Sequence, residues 1–444
     1  MLVPSTIVLF TQFVDPDLGC ASYLIGDEEA GVAVVVDPSY AVEQYLDEAA
    51  RNGLRLVAVL ETHTHADHLS GHGRLALEHG LPVHIHPIAA VSYPNEPVAD
   101  GQVLEFGAVR VRVLHTPGHR PEHCCFLVDE RILLTGDSLF VGDAARPDLA
   151  VAARDGARDL FHSLHRLAEL PDAVSVYPGH VAGSLCGGHM SADPSSTIGA
   201  ERAGNHALAI LDVEGFVNES ASISTPRPPN LERIVAFNAG PFVGAAAPLG
   251  PATAEGATVL DVRPAAAYAT GHVPSAINVP VSGSSFGTRA AFLISPDERI
   301  VLHGSPEEVE LAAQRLHAVG FLELGGYLEH PETPERMTPV GIAELEAMLA
   351  DGDVEVIDVR EKDERDAGYI AGSRHIPYRL LRALADELPD DRPLVTICES
   401  GPRAAIGASV LVAAGLDAHP VVDGGVETWE KRGGRTIEFR RCGS

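Results

Sequence analysis

The chain has 444 residues, room for two to four domains of ~100–200 residues each. Apolar residues make up 45%, enough for several cores, yet no stretch approaches the ~18 uninterrupted apolar residues that suggest a membrane span. A formal charge of −30, from 62 acidic and 32 basic residues, argues against nucleic acid or an anionic membrane as a partner; a small anion stays possible, because local arginines decide that. Residues 1–10 are apolar but lack a basic start and a small-residue cleavage site, so they read as a first strand and the cytoplasm is the expected compartment. The six cysteines (Cys20, Cys124, Cys125, Cys186, Cys398, Cys442) are scattered with no C-x-x-C pair and read as reduced thiols.

In chain order, residues 5–13, 21–26, 31–37 and 55–60 read as strands, and residues 42–53 as an amphipathic helix ending at a glycine. The apolar run 56–60 leads into His63-Thr64-His65-Ala66-Asp67-His68, four potential metal ligands in the pattern H-x-H-x-D-H. Alternate residues of an extended loop point the same way, so His63 and His65 can converge on one point while Asp67 and His68 serve a neighbouring one. Residues 71–79 read as a helix and 83–86 as a strand; His84 and His86 have no partner spacing and are not taken as ligands. The alternating strand 109–114 runs into Thr116-Pro117-Gly118-His119, whose Pro-Gly turn aims His119 out of the strand end. Residues 131–134 lead to Gly136-Asp137, and 174–177 to Pro178-Gly179-His180. Four strands thus each deliver His or Asp at a C-terminal turn, which predicts a metal site.

This ligand order resembles the metallo-β-lactamase superfamily over residues 1 to about 240. The resemblance implies an αββα sandwich with the metal at one edge of the sheets. Its glyoxalase II-type hydrolases use two metal positions, with zinc or iron; its persulfide dioxygenases hold one Fe(II). For the latter, the matching ligands are His63, His119 and Asp137, a two-histidine, one-carboxylate set with open positions for O2 and a substrate sulfur. His65, Asp67, His68 and His180 would then orient those ligands by hydrogen bonds, or bind a second metal in the dinuclear alternative. Residues 136–149 resemble the dioxygenase segment G-D-x-L-F-V-G-x-x-G-R-P-D-L, departing from it at Ala145. Arg146 matches an arginine near the thiol cofactor's carboxylate or phosphate, a role suited to a bidentate guanidinium, and Tyr177 matches a residue lining the same pocket. Residues 183–187 and 196–199 resemble segments of bacterial dioxygenases fused to rhodanese domains. Cys186 could face the site as a sulfur carrier or be a small buried residue; Cys124 and Cys125 read as core, and Cys20 has no assigned role.

Residues 226–251, rich in Pro, Ala and Gly, mark a domain boundary, beyond which the chain repeats itself. Asp261-Val262-Arg263 and Pro280 recur as Asp358-Val359-Arg360 and Pro377, and Gly325-Gly326 recurs as Gly424-Gly425. The strand–helix alternation implies small parallel-sheet α/β domains. These repeats resemble rhodanese domains, sulfurtransferases that carry sulfur on a cysteine. The second repeat holds strand 395–397, the loop Cys398-Glu399-Ser400-Gly401-Pro402-Arg403 and helix 404–414. Loop N–H groups and the helix N-terminus can surround the sulfur and favour a thiolate, and Arg403 is expected to hold thiosulfate or sulfite. The first repeat has His303-Gly304-Ser305 at the corresponding strand end and no cysteine, so it is expected to be silent. Trp429 and Cys442 read as structural or incidental.

The expectation is a multi-domain α/β chain: a metal domain over residues 1–238, a silent rhodanese-like domain over 239–332 and an active rhodanese domain over 333–444. The resemblances imply oxidation of a low-molecular-weight thiol persulfide by O2 to sulfite and thiol at a mononuclear Fe(II), coupled to sulfane-sulfur transfer at Cys398. The partners would be the persulfide, O2, sulfite and thiosulfate, and the chain a homo-oligomer, dimer or tetramer. The alternatives are a dinuclear zinc or iron thioester hydrolase and a non-catalytic sulfur carrier.

Overall fold

The computed structural model describes residues 8–147, 152–181, 191, 193–221 and 226–439; Cys186 and Cys442 lie outside them. The chain divides into two compact units, Met1–Ala246 with His317–Gly320, and Ala247–Leu316 with Phe321–Ser444. Among the described residues, no helix is long and apolar enough to cross a membrane.

The first unit is built on two six-stranded mixed sheets. One runs in sequence order through β1 (Val8–Val14), β2 (Ala21–Asp27), β3 (Val32–Val36), β4 (Arg55–Leu60), β5 (Val83–Ile85) and β6 (Glu96–Pro97). The other contains β7 (Val103–Phe106), β8 (Val109–His115), β9 (Cys124–Val128), β10 (Ile132–Gly136), β13 (Ser175–Pro178) and β14 (Ser196–Thr197), with the short pair β11 (Leu139–Phe140) and β12 (Asp143–Ala144) beside it. In β2, β3 and β9 nearly every residue is buried, so these strands have two apolar faces rather than one. Alternation sends successive side chains to opposite faces, and the core clusters show where they go. Tyr23, Val34, Val36, Leu60, Val111, Cys124 and Phe126 meet between the sheets. Leu24, Ala33 and Val35 pack outward against Tyr45 and Ala49 of helix α1 (Glu43–Arg51) and Leu75 of α2 (His72–His79). Cys125, Leu127 and Leu133 pack outward against Leu160 and Leu164 of α3 (Ala153–Leu167) and Phe216 of α5 (Val213–Ser220). The helix α4 (Ile198–Gly204) lies between these two in sequence, and α6 (Leu231–Ala239) ends this run of helices. The layers are therefore helix, sheet, sheet, helix, as expected. Cys124 and Cys125 are both core, on opposite faces of one strand.

The second unit holds two parallel sheets. In the first repeat, β15 (Thr258–Asp261) lies between β16 (Ile277–Asn278) and β17 (Ile300–His303), with helices α7 (Ala265–Thr270), α8 (Phe286–Leu293) and α9 (Pro306–Ala318). In the second, β18 (Glu355–Asp358), β20 (Arg374–His375), β21 (Leu394–Ile397) and β22 (Ala418–Pro420) form the sheet, and β19 (Tyr369–Ile370) pairs with β23 (Thr436–Ile437). Its helices are α10 (Ile342–Asp351), α11 (Lys362–Asp366), α12 (Leu381–Leu384), α13 (Pro402–Ala413) and α14 (Val426–Lys431). Helix α13 is buried from Ala404 to Leu411, as a helix apolar all round must be. The repeats meet through Ser409 of α13, whose hydroxyl accepts from Asn278 N at 3.0 Å, and through Arg382, which binds both Glu298 oxygens at 2.7 and 2.8 Å.

The inter-sheet core carries the first unit. Phe126→Ala, at a fully buried position, is expected to destabilise it by about 3–5 kcal/mol, read as an earlier denaturant midpoint for the first unit.

Candidate functional site

The loop after β4 is buried although it is polar: Thr62 is 0% exposed, His63 1%, and His65 and His68 4% each. A buried backbone must have its hydrogen bonds met, and neighbouring elements supply them here. Thr62 N donates to Asp37 Oδ1 at 2.7 Å, at the end of β3. Thr64 N donates to Glu122 Oε1 at 3.2 Å. Ser70 N donates to Asn238 Oδ1 at 2.9 Å, while Asn238 Nδ2 donates to the carbonyls of His65 and His68 at 3.0 and 2.8 Å. Leu69 N donates to the Ala318 carbonyl at 2.7 Å. The loop is therefore clamped from several sides before any ligand binds.

His63, His119 and Asp137, delivered by the ends of β4, β8 and β10, are all buried, with one donor atom from each lying within 4.8 Å of the others. Hydrogen bonds behind them fix which atoms face the centre. The Thr62 hydroxyl gives its proton to Asp37 Oδ2 at 2.8 Å, so His63 Nδ1, 2.9 Å away, must be the donor to it. His119 Nδ1 donates to the Arg146 carbonyl at 2.9 Å, since a carbonyl can only accept. In both neutral rings the lone pair then sits on Nε2; His63 Nε2 has no hydrogen-bond partner among the described residues, and His119 Nε2 lies 3.6 Å from Asp137 Oδ2. Burial, then the charges of His65, His119 and His123, hold His63 well below the usual imidazole range. Burial lowers His119 too, against the pull of Asp137. Burial would raise Asp137, but the charge and hydrogen bond of His180, with His119 beside it, bring it down to about 2. Two neutral imidazoles and one carboxylate, each steered from behind, fit a divalent transition metal.

Gly136 makes this possible. It has φ +47°, in the left-handed region, and a Cβ there would meet His123 Nε2 and Thr62 Oγ1, both at 2.7 Å. Only glycine lets β10 turn Asp137 into the centre without disturbing the histidine side.

A second group adjoins the first. His180 Nδ1 hydrogen-bonds Asp137 Oδ1 at 2.8 Å and its Nε2 hydrogen-bonds Asp67 Oδ2 at 2.7 Å. Asp67 Oδ1 lies 3.1 Å from His68 Nδ1. Cys20 Sγ lies 3.4 Å from each of Asp67 Oδ2, His68 Nδ1 and His180 Nε2. Burial would raise Asp67, yet His68 and His180 hold it well below the carboxylate range. A third group places His65 Nε2 at 3.3 Å from Asp37 Oδ1 and 3.2 Å from Glu61 Oε2. Burial would lower His65, but those two carboxylates outweigh it and hold the ring well above its usual range.

In the second unit, Cys398 is 1% exposed and Gly401 N donates to its Sγ at 3.1 Å. Gly401 has φ +99°, a backbone that side chains rarely adopt and that curls the loop back onto the sulfur. The registers Asp358↔Ile397 and Asp261↔His303 put Gly304 of the first repeat where Cys398 stands in the second. The first repeat therefore lacks a nucleophile at that position. Arg403, expected to hold thiosulfate or sulfite, binds Glu364 of α11 through Nη1 and Nη2 at 2.6 and 2.5 Å. That hydrogen bond is the first reason the guanidinium is raised above its ordinary range.

Residues 15–180 match the metallo-β-lactamase superfamily, and residues 250–329 and 342–432 each match the rhodanese-like domain. The chain is 30% identical over 235 residues to the mitochondrial persulfide dioxygenase of Bos taurus, covering 52% of this chain and 87% of that protein. It is 36% identical over 162 residues to a hydroxyacylglutathione hydrolase of Rhizobium etli, covering 35% of this chain and 60% of that protein. The crystal structure of a metallo-β-lactamase from Staphylococcus aureus subsp. aureus COL superposes with a TM-score of 0.67 at 30% identity, over 73% of this chain and 99% of that one. The chain belongs to the metallo-β-lactamase superfamily. Its second unit carries two rhodanese-like domains.

Within this metallo-β-lactamase fold the expected residues divide. His63, His119 and Asp137 share one centre; Asp67, His68 and His180 border it on one side and His65 on another. Arg146 is 8% exposed, and what it lends the centre is its carbonyl, on His119. The Tyr177 ring packs on Phe10 at 4.7 Å and Tyr23 at 6.0 Å. His86 stacks on His115 at 4.3 Å, away from the three donor groups. Sequence reading missed Cys20, Asp37, Glu61, His123 and Asn238. Cys20 and Asn238 carried no local signal. Asp37 closes an apolar strand, as Asp137 nearly does, and could have been flagged by that likeness.

Asn238→Ala removes a side chain that, alone among the described residues, bonds three backbone groups of the metal loop. It is expected to weaken metal binding roughly 10–100-fold and to lower stability by about 1–3 kcal/mol, read by chelator competition and by denaturation.

Proposed function

We propose that the chain is a persulfide dioxygenase joined to a sulfurtransferase, with the metal domain over residues 1–238, a silent repeat over 239–332 and the sulfur-transfer repeat over 333–444. The observation that carries this reading is the convergence of His63, His119 and Asp137 on one buried point. Their chemistry fits a single ferrous ion, which would supply binding and activation of O2 beside a sulfur ligand. The overall reaction takes a thiol persulfide, O2 and water to sulfite, the free thiol and protons. The relative from Bos taurus, itself a persulfide dioxygenase, supports it.

This chain's own residues prepare the centre. Thr62 and the Arg146 carbonyl hold the two imidazoles with Nε2 inward. His180 takes up one oxygen of Asp137 and leaves Oδ2 facing His119. The second unit contributes a separate reaction. A Cys398 thiolate attacks the outer sulfur of a persulfide, the old S–S bond breaks as the new one forms, and the thiol's sulfur leaves with the bonding pair as a thiolate that water protonates. No net oxidation occurs in that step. Gly401 N sits where the sulfur's negative charge must be held.

A second reading is a dinuclear thioester hydrolase, favoured by the donor group Cys20, Asp67 and His68 and by the Rhizobium etli relative. Metal content separates the two: one iron per chain supports the dioxygenase, two metals with rapid thioester hydrolysis the alternative. Asp137→Ala is expected to abolish O2 uptake with persulfide while thiocyanate formation at Cys398 continues. Cys398→Ser is expected to give the opposite pattern. Loss of both activities in either variant would end the proposed division, as would O2 uptake that survives loss of Asp137.

A further inference from the structure

Charged side chains stand beside Cys398. Two guanidiniums of the second repeat reach the loop, and each is already held by carboxylate. Arg403 is taken by Glu364 at 2.5 and 2.6 Å. Arg360, 3% exposed, binds Asp358 at 2.8 and 3.0 Å and then reaches Glu399, the residue after Cys398, at 3.0 Å. Glu399 Oε1 also accepts Glu427 N at 3.1 Å, so this carboxylate is fixed beside the nucleophile rather than free to swing away. Two positive groups therefore meet three negative ones, Asp358, Glu364 and Glu399. Two of the three, Glu364 and Glu399, are open to solvent, each with a side chain 39% exposed.

A dianion arriving here meets, in these five groups, one more negative charge than positive and no unpaired guanidinium. The reacting end of an organic persulfide carries at most one charge, and its outer sulfur needs only the loop amides. We propose that Cys398 loads from an organic persulfide in preference to thiosulfate, and that Glu364 and Glu399 set that preference. This rests on the reading of Cys398 as a sulfur carrier. With a persulfide donor, the Cys398 thiolate bonds to the outer sulfur and a thiolate leaves. With thiosulfate the same bond would form and sulfite would leave. Both steps balance without an external oxidant, so charge rather than redox chemistry decides between them.

The test uses the full-length protein without oxygen, so that persulfide oxidation does not compete, and cyanide as a common acceptor, reading thiocyanate. Cys398→Ser supplies the background. The donors are cysteine persulfide, the monoanion methanethiosulfonate, and thiosulfate. We expect kcat/KM to fall in that order, and the thiosulfate value to rise with added salt, because salt screens like-charge repulsion. Glu364→Gln and Glu399→Gln should each raise the thiosulfate-to-persulfide ratio roughly fivefold, the scale on which a rim charge alters encounter rates. The salt response of wild-type protein tests the same idea without a substitution. Thiosulfate matching the persulfide in wild-type protein overturns the proposal, as does a ratio that stays level or falls in both variants. Transfer from no donor at all would instead overturn the reading of Cys398 as a carrier.

Discussion

The first unit depends on keeping a polar loop dry. Residues 61–70 follow an apolar strand into the interior, and all but Asp67 are buried. Burying such groups is costly unless each finds a partner. Asp37 meets the loop at its start, Glu122 in its middle, and Asn238 and the Ala318 carbonyl at its end. These supports come from a strand end, a turn, a helix and a distant segment of the chain. A loop secured in this way can present His63 with its lone pair in one direction, which an unsupported loop could not.

The same supports arrange the charges. Carboxylates and imidazoles alternate from Asp37 and Glu61 through His65 on one side, and from Asp137 through His180 to Asp67 on the other. Burial alone would neutralise every one of these groups. Pairing keeps Asp137 and Asp67 anionic and His65 cationic, while His63 and His119, which have weaker claims on a carboxylate, stay neutral. That division suits a metal, which needs neutral imidazoles and an ionised carboxylate. Cys20 sits among the donors of the neighbouring group at equal distances, a sulfur beside nitrogen and oxygen atoms.

In the second unit one small scaffold appears twice with different outcomes. Both repeats end a central strand in aspartate and place a following arginine against it, Arg263 on Asp261 and Arg360 on Asp358. The difference lies in the next strand, where Gly304 replaces the position of Cys398. The first repeat keeps the packing role: Asn278 and Glu298 hold Ser409 and Arg382 of the second. Around Cys398 the carboxylates of Glu399 and Glu364 hold the guanidiniums of Arg360 and Arg403.

Much of this was legible in the residues. The strands before each metal-binding turn, the two repeats and the nucleophile loop all rest on local patterns, apolar runs broken by Pro-Gly or Gly-Asp turns, and those patterns act over a few residues. The fold class followed from them, and the superfamily from the resemblance of the ligand order to a known family. What needed the tertiary structure were the partners brought from far along the chain: Cys20 to His180, Asn238 to the loop after β4, Glu364 to Arg403. No periodicity or spacing records such pairings. Local sequence determined which side chains could bind a metal or carry sulfur. Only packing decided which nitrogen faces the centre and which cations are already spent, because burial and long-range hydrogen bonds, not residue type, set those properties.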